Sequence, residues 1–246
     1  MDLGLAGRCY VVSGGSRGLG RATAEVLLAE GADVVIGART TPTSLGAMHV
    51  HTVHCDLADP DSAQRLVDAA LEHHGRVDGA LISVGGPPIG SAMDLSDDDW
   101  RRSFETVFLG SVRLARTVAA VLPETGAICF VLSGSAKSPI GGLAASNGLR
   151  PGLAMLTKQL ADELGPRGIR VNAVLPGRVA TERVAQLDEA SGDATGARRA
   201  NEAAIPLGRY GEPAELARVA AFLLSPAASY VSGSLVPVDG GALRAL

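Results

Sequence analysis

Seven short apolar runs, at 9–12, 33–37, 50–55, 79–84, 127–132, 170–175 and 234–238, alternate with helical stretches near 18–30, 60–74, 97–122, 147–165 and 212–225. Several runs are apolar at nearly every position, which suits strands covered on both faces. Strand and helix in alternation from end to end call for one doubly wound parallel sheet, so an α/β fold of Rossmann type is expected. The 246 residues contain no repeat, linker or charge block, and 1–246 reads as a single domain with ample length for a core. The chain is 46% hydrophobic, with 31 glycines and only 3% aromatics. Small residues of this kind let helices lie close on a sheet, and the apolar content excludes a disordered chain.

The formal charge of −4 offers no basic field to draw in nucleic acid or an anionic membrane. No apolar run reaches the roughly 18 residues of a spanning helix. The opening residues lack a basic region and lead directly into a strand, so no secretory signal is visible and a cytoplasmic protein is expected. Cys9, Cys55 and Cys129 are odd in number and sit in or beside β-branched runs, as buried thiols in a reducing compartment would. His49, His51 and His54 could suggest metal ligation. A strand with His49 and His51 on one face and His54 on the other is the plainer reading, and no metal is expected. His73 and His74 end a helix, where imidazoles suit the negative end of the dipole. Ser96 can cap the helix that Asp97, Asp98 and Asp99 open, a better account of those aspartates than an acidic catalytic cluster.

Two places break the alternation. Only nine residues, 40–48, separate the second and third strands, short of the dozen or so of a usual parallel crossover; a loop or single turn is expected. The polar stretch 182–204, weakly patterned, reads as a substrate loop or lid.

Ser13, Gly14, Gly15, Ser16, Arg17, Gly18, Leu19 and Gly20 follow the first strand and open the first helix. Glycines there let backbone N–H groups approach a pyrophosphate at the helix N-terminus, and the strand–turn–helix context makes the signal strong. About 20 residues further on, an acid would hold the ribose of NAD, whereas an arginine would hold the 2′-phosphate of NADP. The chain has Arg39 there and no acid, with Arg17 close enough to help, which points to NADPH.

With these motifs the whole chain resembles the classical short-chain dehydrogenases/reductases, especially their β-ketoacyl-carrier-protein-reductase-like branch. The loop matches T-G-x-x-x-G-x-G with Ser13 for Thr. Asp56, followed by Leu57, matches the acid placed against adenine. Gly85 and Gly86 stand at the end of the family's N-N-A-G. Pro176, Gly177, Val179 and Thr181 fall in the P-G-x-x-x-T segment around the nicotinamide carboxamide. Pro206 to Arg209, Tyr230 to Gly233 and Val238 to Gly241 match the C-terminal signature. The resemblance implies a homodimer or homotetramer joined through the helices at 97–122 and 147–165, the first bearing an apolar stripe of Val107, Phe108, Val112, Ala115 and Val118.

The family's catalytic set is Asn, Ser, Tyr and Lys, the last two as Y-x-x-x-K. Val107 stands in the Asn position, seven residues after Trp100. Ser133 is retained. Thirteen residues on stands Ser146 in place of Tyr, and four beyond that Arg150 in place of Lys. Serine is too weak an acid to replace the phenol, and arginine stays protonated. Arg150 can still grip ribose hydroxyls and present charge to a developing anion. Lys137 reads as a solvated loop lysine. Gly148, Pro151 and Gly152 suggest a helix that starts late or irregularly, near Asn147, since proline belongs in a first turn.

These residues lead to an NADPH-dependent reductase of a small molecule with a non-standard proton path. An iminium carbon (from a hemiaminal, for example) or a conjugated enone would suit the missing acid. A ketone reductase working through Ser133 and water is the alternative, and a catalytically silent NADP-binding protein is a third reading.

Overall fold

The computed structural model describes residues 2–40 and 50–245. Its strands are β1 (Cys9–Ser13), β2 (Asp33–Ala38), β3 (Val50–His54), β4 (Gly79–Ser83), β5 (Ala127–Val131), β6 (Arg170–Pro176) and β7 (Leu235–Val238). They form one sheet in the order β3-β2-β1-β4-β5-β6-β7, parallel at every pairing. The helices are α1 (Gly18–Ala29), α2 (Ser62–His74), α3 (Asp97–Ser103), α4 (Gly110–Val121), α5 (Ala144–Leu164), α6 (Glu182–Glu189), α7 (Ala194–Ala204) and α8 (Pro213–Leu224). Alternate side chains of one strand serve two cores. Cys9 and Val11 pack with Leu66 of α2, Leu114 of α4 and Leu153 of α5, while Tyr10 and Val12 pack with Leu27 of α1 and Leu216 of α8. Strand order reverses at β1, whose neighbours are β2 and β4; that switch point is where open α/β sheets bind ligands.

Local chemistry accounts for several boundaries. Ser96 Oγ accepts from Asp99 N at 3.2 Å and the Asp99 carboxylate accepts from Ser96 N at 3.1 Å. This capping box is worth about 1 kcal/mol. Gly75 closes α2 with φ +69° just after His73 and His74. The His73 ring lies 3.7 Å from that of His51. The three thiols are buried and unpaired. Desolvation pushes Cys9 and Cys129 up to about 12 and Cys55 to about 11, so all three are inert at neutral pH. Residues 41–48 of the short crossover, and His49, lie outside the described residues. Among the described residues no helix is long and apolar enough to cross a membrane.

Three expectations need correction. The stretch 182–204 is no loop but the helices α6 and α7. Thr181 and Asp193 cap them through Val184 N and Gly196 N. Buried Asp188 then accepts from the Tyr210 hydroxyl at 3.0 Å and pairs with Arg178 at 3.3 Å. Polar anchoring of this kind leaves little apolar periodicity to read, and α7 buries no residue.

Helix α5 does not start late: it runs from Ala144, with Pro151 inside it. Asn147 holds both the N–H and the carbonyl of Ile140, at 3.0 and 2.9 Å, and so fixes the first turn despite the lost proline donor. The glycines have a packing reason. A Cβ on Gly148 would lie 3.1 Å from the Trp100 ring, and one on Gly152 2.8 Å from Phe108.

The apolar stripe of the 97–122 helix is largely inward. Val107, Ala115 and Val118 are buried in the chain's own core, with Phe108 and Val112 packed against it. The helix is continuous but passes through a π-helical segment, Phe104–Leu109, where Gly110 N donates to Glu105 O five residues back. Gly110 is required there, because a Cβ would lie 2.4 Å from Leu57 O.

Candidate active site

The glycine turn is built by close approach. A Cβ on Gly14 (φ +63°) would meet Ser83 O at 2.6 Å, and one on Gly20 would meet Gly14 O at 2.4 Å. Arg17 precedes α1 without capping it by its side chain, so the N–H groups of the first turn stay available to an anion. Around Gly18 the nearest atoms are those of Thr181, at 3.8–4.0 Å. A backbone cradle with uncapped donors and no crowding side chain fits a dinucleotide pyrophosphate. Ser13, by contrast, is a brace: it is buried, and its hydroxyl donates to Ser83 O at 2.9 Å and accepts from Ser83 N at 3.0 Å, tying β1 to β4. Ser16 is half-buried in the turn, and Leu19 packs against the core beneath it.

Arg39 is exposed just beyond the end of β2. Arg17 forms an ion pair with Glu182 at 3.0 Å, both side chains more than half exposed. Such a pair is worth about 1 kcal/mol or less, little hindrance to a competing phosphate. Asp56 accepts from Ala58 N at 3.1 Å, and Leu57 is buried against Gly110.

Across the switch point, Gly85 has no atom within 4 Å of a notional Cβ, while a Cβ on Gly86 would lie 2.7 Å from Nε of the Arg183 guanidinium. Arg183 donates to Pro87 O at 2.7 Å, and desolvation lowers its pKa. Pro176 ends β6, and Gly177 passes so close to Asp239 that a Cβ would sit 2.6 Å away. Val179 is buried and bridged to Gly211, and Thr181 is the cap of α6.

The catalytic positions converge at the C-terminal end of β5. Ser133 Oγ accepts from Ser135 N at 3.1 Å, starting the 3-10 turn Gly134–Ala136. Ser135 and Ser146 are buried, with their hydroxyls 2.9 Å apart. One turn along α5, Arg150 is only 5% exposed. Its Nη1 donates to Val131 O at 2.5 Å, and its Nε is buried without a partner. Burial pushes it down to about 10, still protonated at neutral pH. Val107 is buried in the π segment and brings no polar group.

The structure therefore gathers Ser133, Ser146 and Arg150 at the end of β5 and adds Ser135, whose hydroxyl meets that of Ser146. Arg183, also outside the motifs, lies over Gly86 and Pro87. Ser135 stands two residues after Ser133 in a Ser-Gly-Ser triplet, and Arg183 two residues after the last motif threonine. A polar residue next to a motif was the available signal in each case.

A sequence profile described as enoyl-(acyl carrier protein) reductase matches residues 14–242. The chain is 34% identical to L-rhamnose 1-dehydrogenase (NAD(P)(+)) of Azotobacter vinelandii, over 96% of this chain and 97% of that one. It is 31% identical to the 3-oxoacyl-[acyl-carrier-protein] reductase MabA of Mycobacterium tuberculosis, over 95% and 92%. L-Sorbose reductase of Gluconobacter frateurii, solved with NADPH and L-sorbose, superposes with a TM-score of 0.91 at 30% identity, over the full length of both chains.

Proposed function

The chain belongs to the short-chain dehydrogenase/reductase family and is an oxidoreductase; from that premise we propose that it is an NADPH-dependent reductase of a small electrophile that needs no acid from the enzyme. One observation carries the reading. The cradle for a dinucleotide is complete, while the hydroxyl in the proton donor's place is closed onto Ser135.

The cofactor, when bound, supplies a hydride. Arg39 and Arg17 are the groups for a 2′-phosphate, the α1 N-terminus for the pyrophosphate, Thr181 and Gly177 for the nicotinamide side, and Arg150 for its ribose. Ser133 keeps its hydroxyl proton for an acceptor oxygen, since its lone pair already takes Ser135 N–H. Helices α6 and α7 would form the wall over the substrate. An iminium carbon, a conjugated enone or, with Ser133 and water, a ketone all remain acceptors for such a site. Loss of catalysis with retained NADP binding is the competing reading, favoured by the three replaced residues Val107, Ser146 and Arg150.

NADPH consumption against a panel of imines, enones and ketones tests the proposal. Turnover of any class supports a reductase. Tight NADPH binding with no oxidation across the panel would establish the silent binder.

A further inference from the structure

Among the described residues two arginines are buried, and they differ. Arg170 is 7% exposed and donates to the carbonyls of Leu223, Leu224 and Ser225, where α8 ends, so its charge meets the negative end of a helix. Arg150 is as deeply buried, yet it has one carbonyl partner, Val131 O, and an orphan Nε. Among the described residues no carboxylate pairs with it. A desolvated charge without a counter-ion is unfavourable unless a ligand completes it. This charge sits one turn from Ser146 and, through Val131, two residues before Ser133, the hydroxyl with a proton to give.

We propose that Arg150 selects the acceptor by charge: the substrate is a neutral conjugated carbonyl compound that becomes an enolate on reduction, not a cationic iminium. The inference rests on the reductase reading and narrows it. Hydride forms the new C–H bond at the β-carbon. The C=C π pair moves to join the α-carbon to the carbonyl carbon, and the carbonyl π pair comes to rest on oxygen. The cofactor is left oxidised, and a solvent proton later adds at the α-carbon. The enolate oxygen accepts from Ser133 and is stabilised by the guanidinium. Its charge is delocalised, so it is a weaker base than an alkoxide and can wait for solvent. That matters where Ser135 and Ser146 are closed on each other. An iminium ion would instead bring a second positive charge towards an unneutralised first.

A planar phenol that ionises near neutrality, such as 4-nitrophenol, imitates the enolate, and its absorbance reports its ionisation directly. It would be titrated against the wild type, Arg150→Met and Arg150→Lys, each with and without NADP+. The bound phenol should ionise about one pH unit lower in wild type and Arg150→Lys than in Arg150→Met, the effect of one nearby opposite charge. In turnover, a cyclic enone should exceed a cyclic iminium by about tenfold or more, the same interaction expressed as a rate. Equal phenol ionisation in wild type and Arg150→Met, or an iminium reduced faster than the enone, would overturn the proposal. Because the titration reads the chain with or without turnover, failure to consume NADPH with any acceptor would instead overturn the reductase reading.

Discussion

Ser146 carries a hydroxyl where the resembling enzymes carry a phenol, and the structure gives that hydroxyl a partner in Ser135 at 2.9 Å. Ser146→Ala should therefore retain activity within about tenfold, far less than the 10²–10⁴ lost with a true general acid. A larger loss in kcat at unchanged stability would restore Ser146 to the proton path. The proposed preference for NADPH rests on Arg39 and on Arg17, whose exposed pair with Glu182 is little hindrance to a phosphate. NADPH should bind at least about tenfold more tightly than NADH, as charge-assisted contacts are worth roughly 1.5–3 kcal/mol each. Arg39→Asp should erase most of that preference in a fluorescence titration, and equal affinities in the wild type would remove the assignment. The glycine turn was legible in the sequence because close backbone approach demands glycine at fixed spacing; Arg39 was legible as an exposed charge just after β2. Ser13 holds its motif position, and its side chain donates to and accepts from Ser83 at the end of β4. Ser135 and Arg183 were legible only as polar residues beside a motif, since nothing local says that a serine will meet α5 or that an arginine will cross to Pro87.

The seven strands of the described residues could be read to within a residue or so of the observed bounds. Burial on both faces leaves a plain pattern in β1, β2, β4, β5 and β6, whereas the edge strands β3 and β7 are only partly covered. Helices held by polar contacts could not be read this way. In 182–204 the ordering groups are two caps and the buried Asp188, and in α5 the Asn147 clamp outweighs the proline. The N-terminus of α8 shows how such anchoring depends on pH. Arg209 first, and then Glu212 N, hold the Glu215 carboxyl down at about 2 from 4.5. A carboxylate with a depressed folded pKa contributes stability that is fully present above its unfolded value and is lost as pH falls through the folded one. Between about pH 4.5 and 2, the wild type should lose more stability than Glu215→Gln, which keeps the side-chain shape without the charge. Urea unfolding followed by circular dichroism at pH 6 and pH 3 measures the difference. Parallel losses in the two proteins would mean that Arg209 and Glu215 are not coupled in solution.

The sheet's own cover takes most of the apolar surface that self-association would need. Val107, Ala115 and Val118 face inward, so any contact between copies through the 97–121 helix must use what is left outside. That remainder is specific. Phe104 is 43% exposed and stacks on Phe108 with ring centroids 5.3 Å apart, and Met155 on neighbouring α5 is 71% exposed. Gly152 allows Phe108 to lie against α5, which brings the exposed parts of both helices together. Large apolar side chains grouped on two adjacent helices form the kind of patch that a closed symmetric assembly covers. We therefore predict a dimer or tetramer at micromolar concentration, joined through Phe104 and Met155 rather than through the stripe that the sequence suggests. Light scattering should give a multiple of 25.0 kDa. Met155→Glu, which places a charge on exposed surface and leaves the core untouched, should shift the mass downward without lowering helix content. A monomeric wild type would reject association altogether. An assembly indifferent to Met155→Glu and to Phe104→Glu would move the contact elsewhere, most simply to the region of Tyr230, whose ring is also fully exposed.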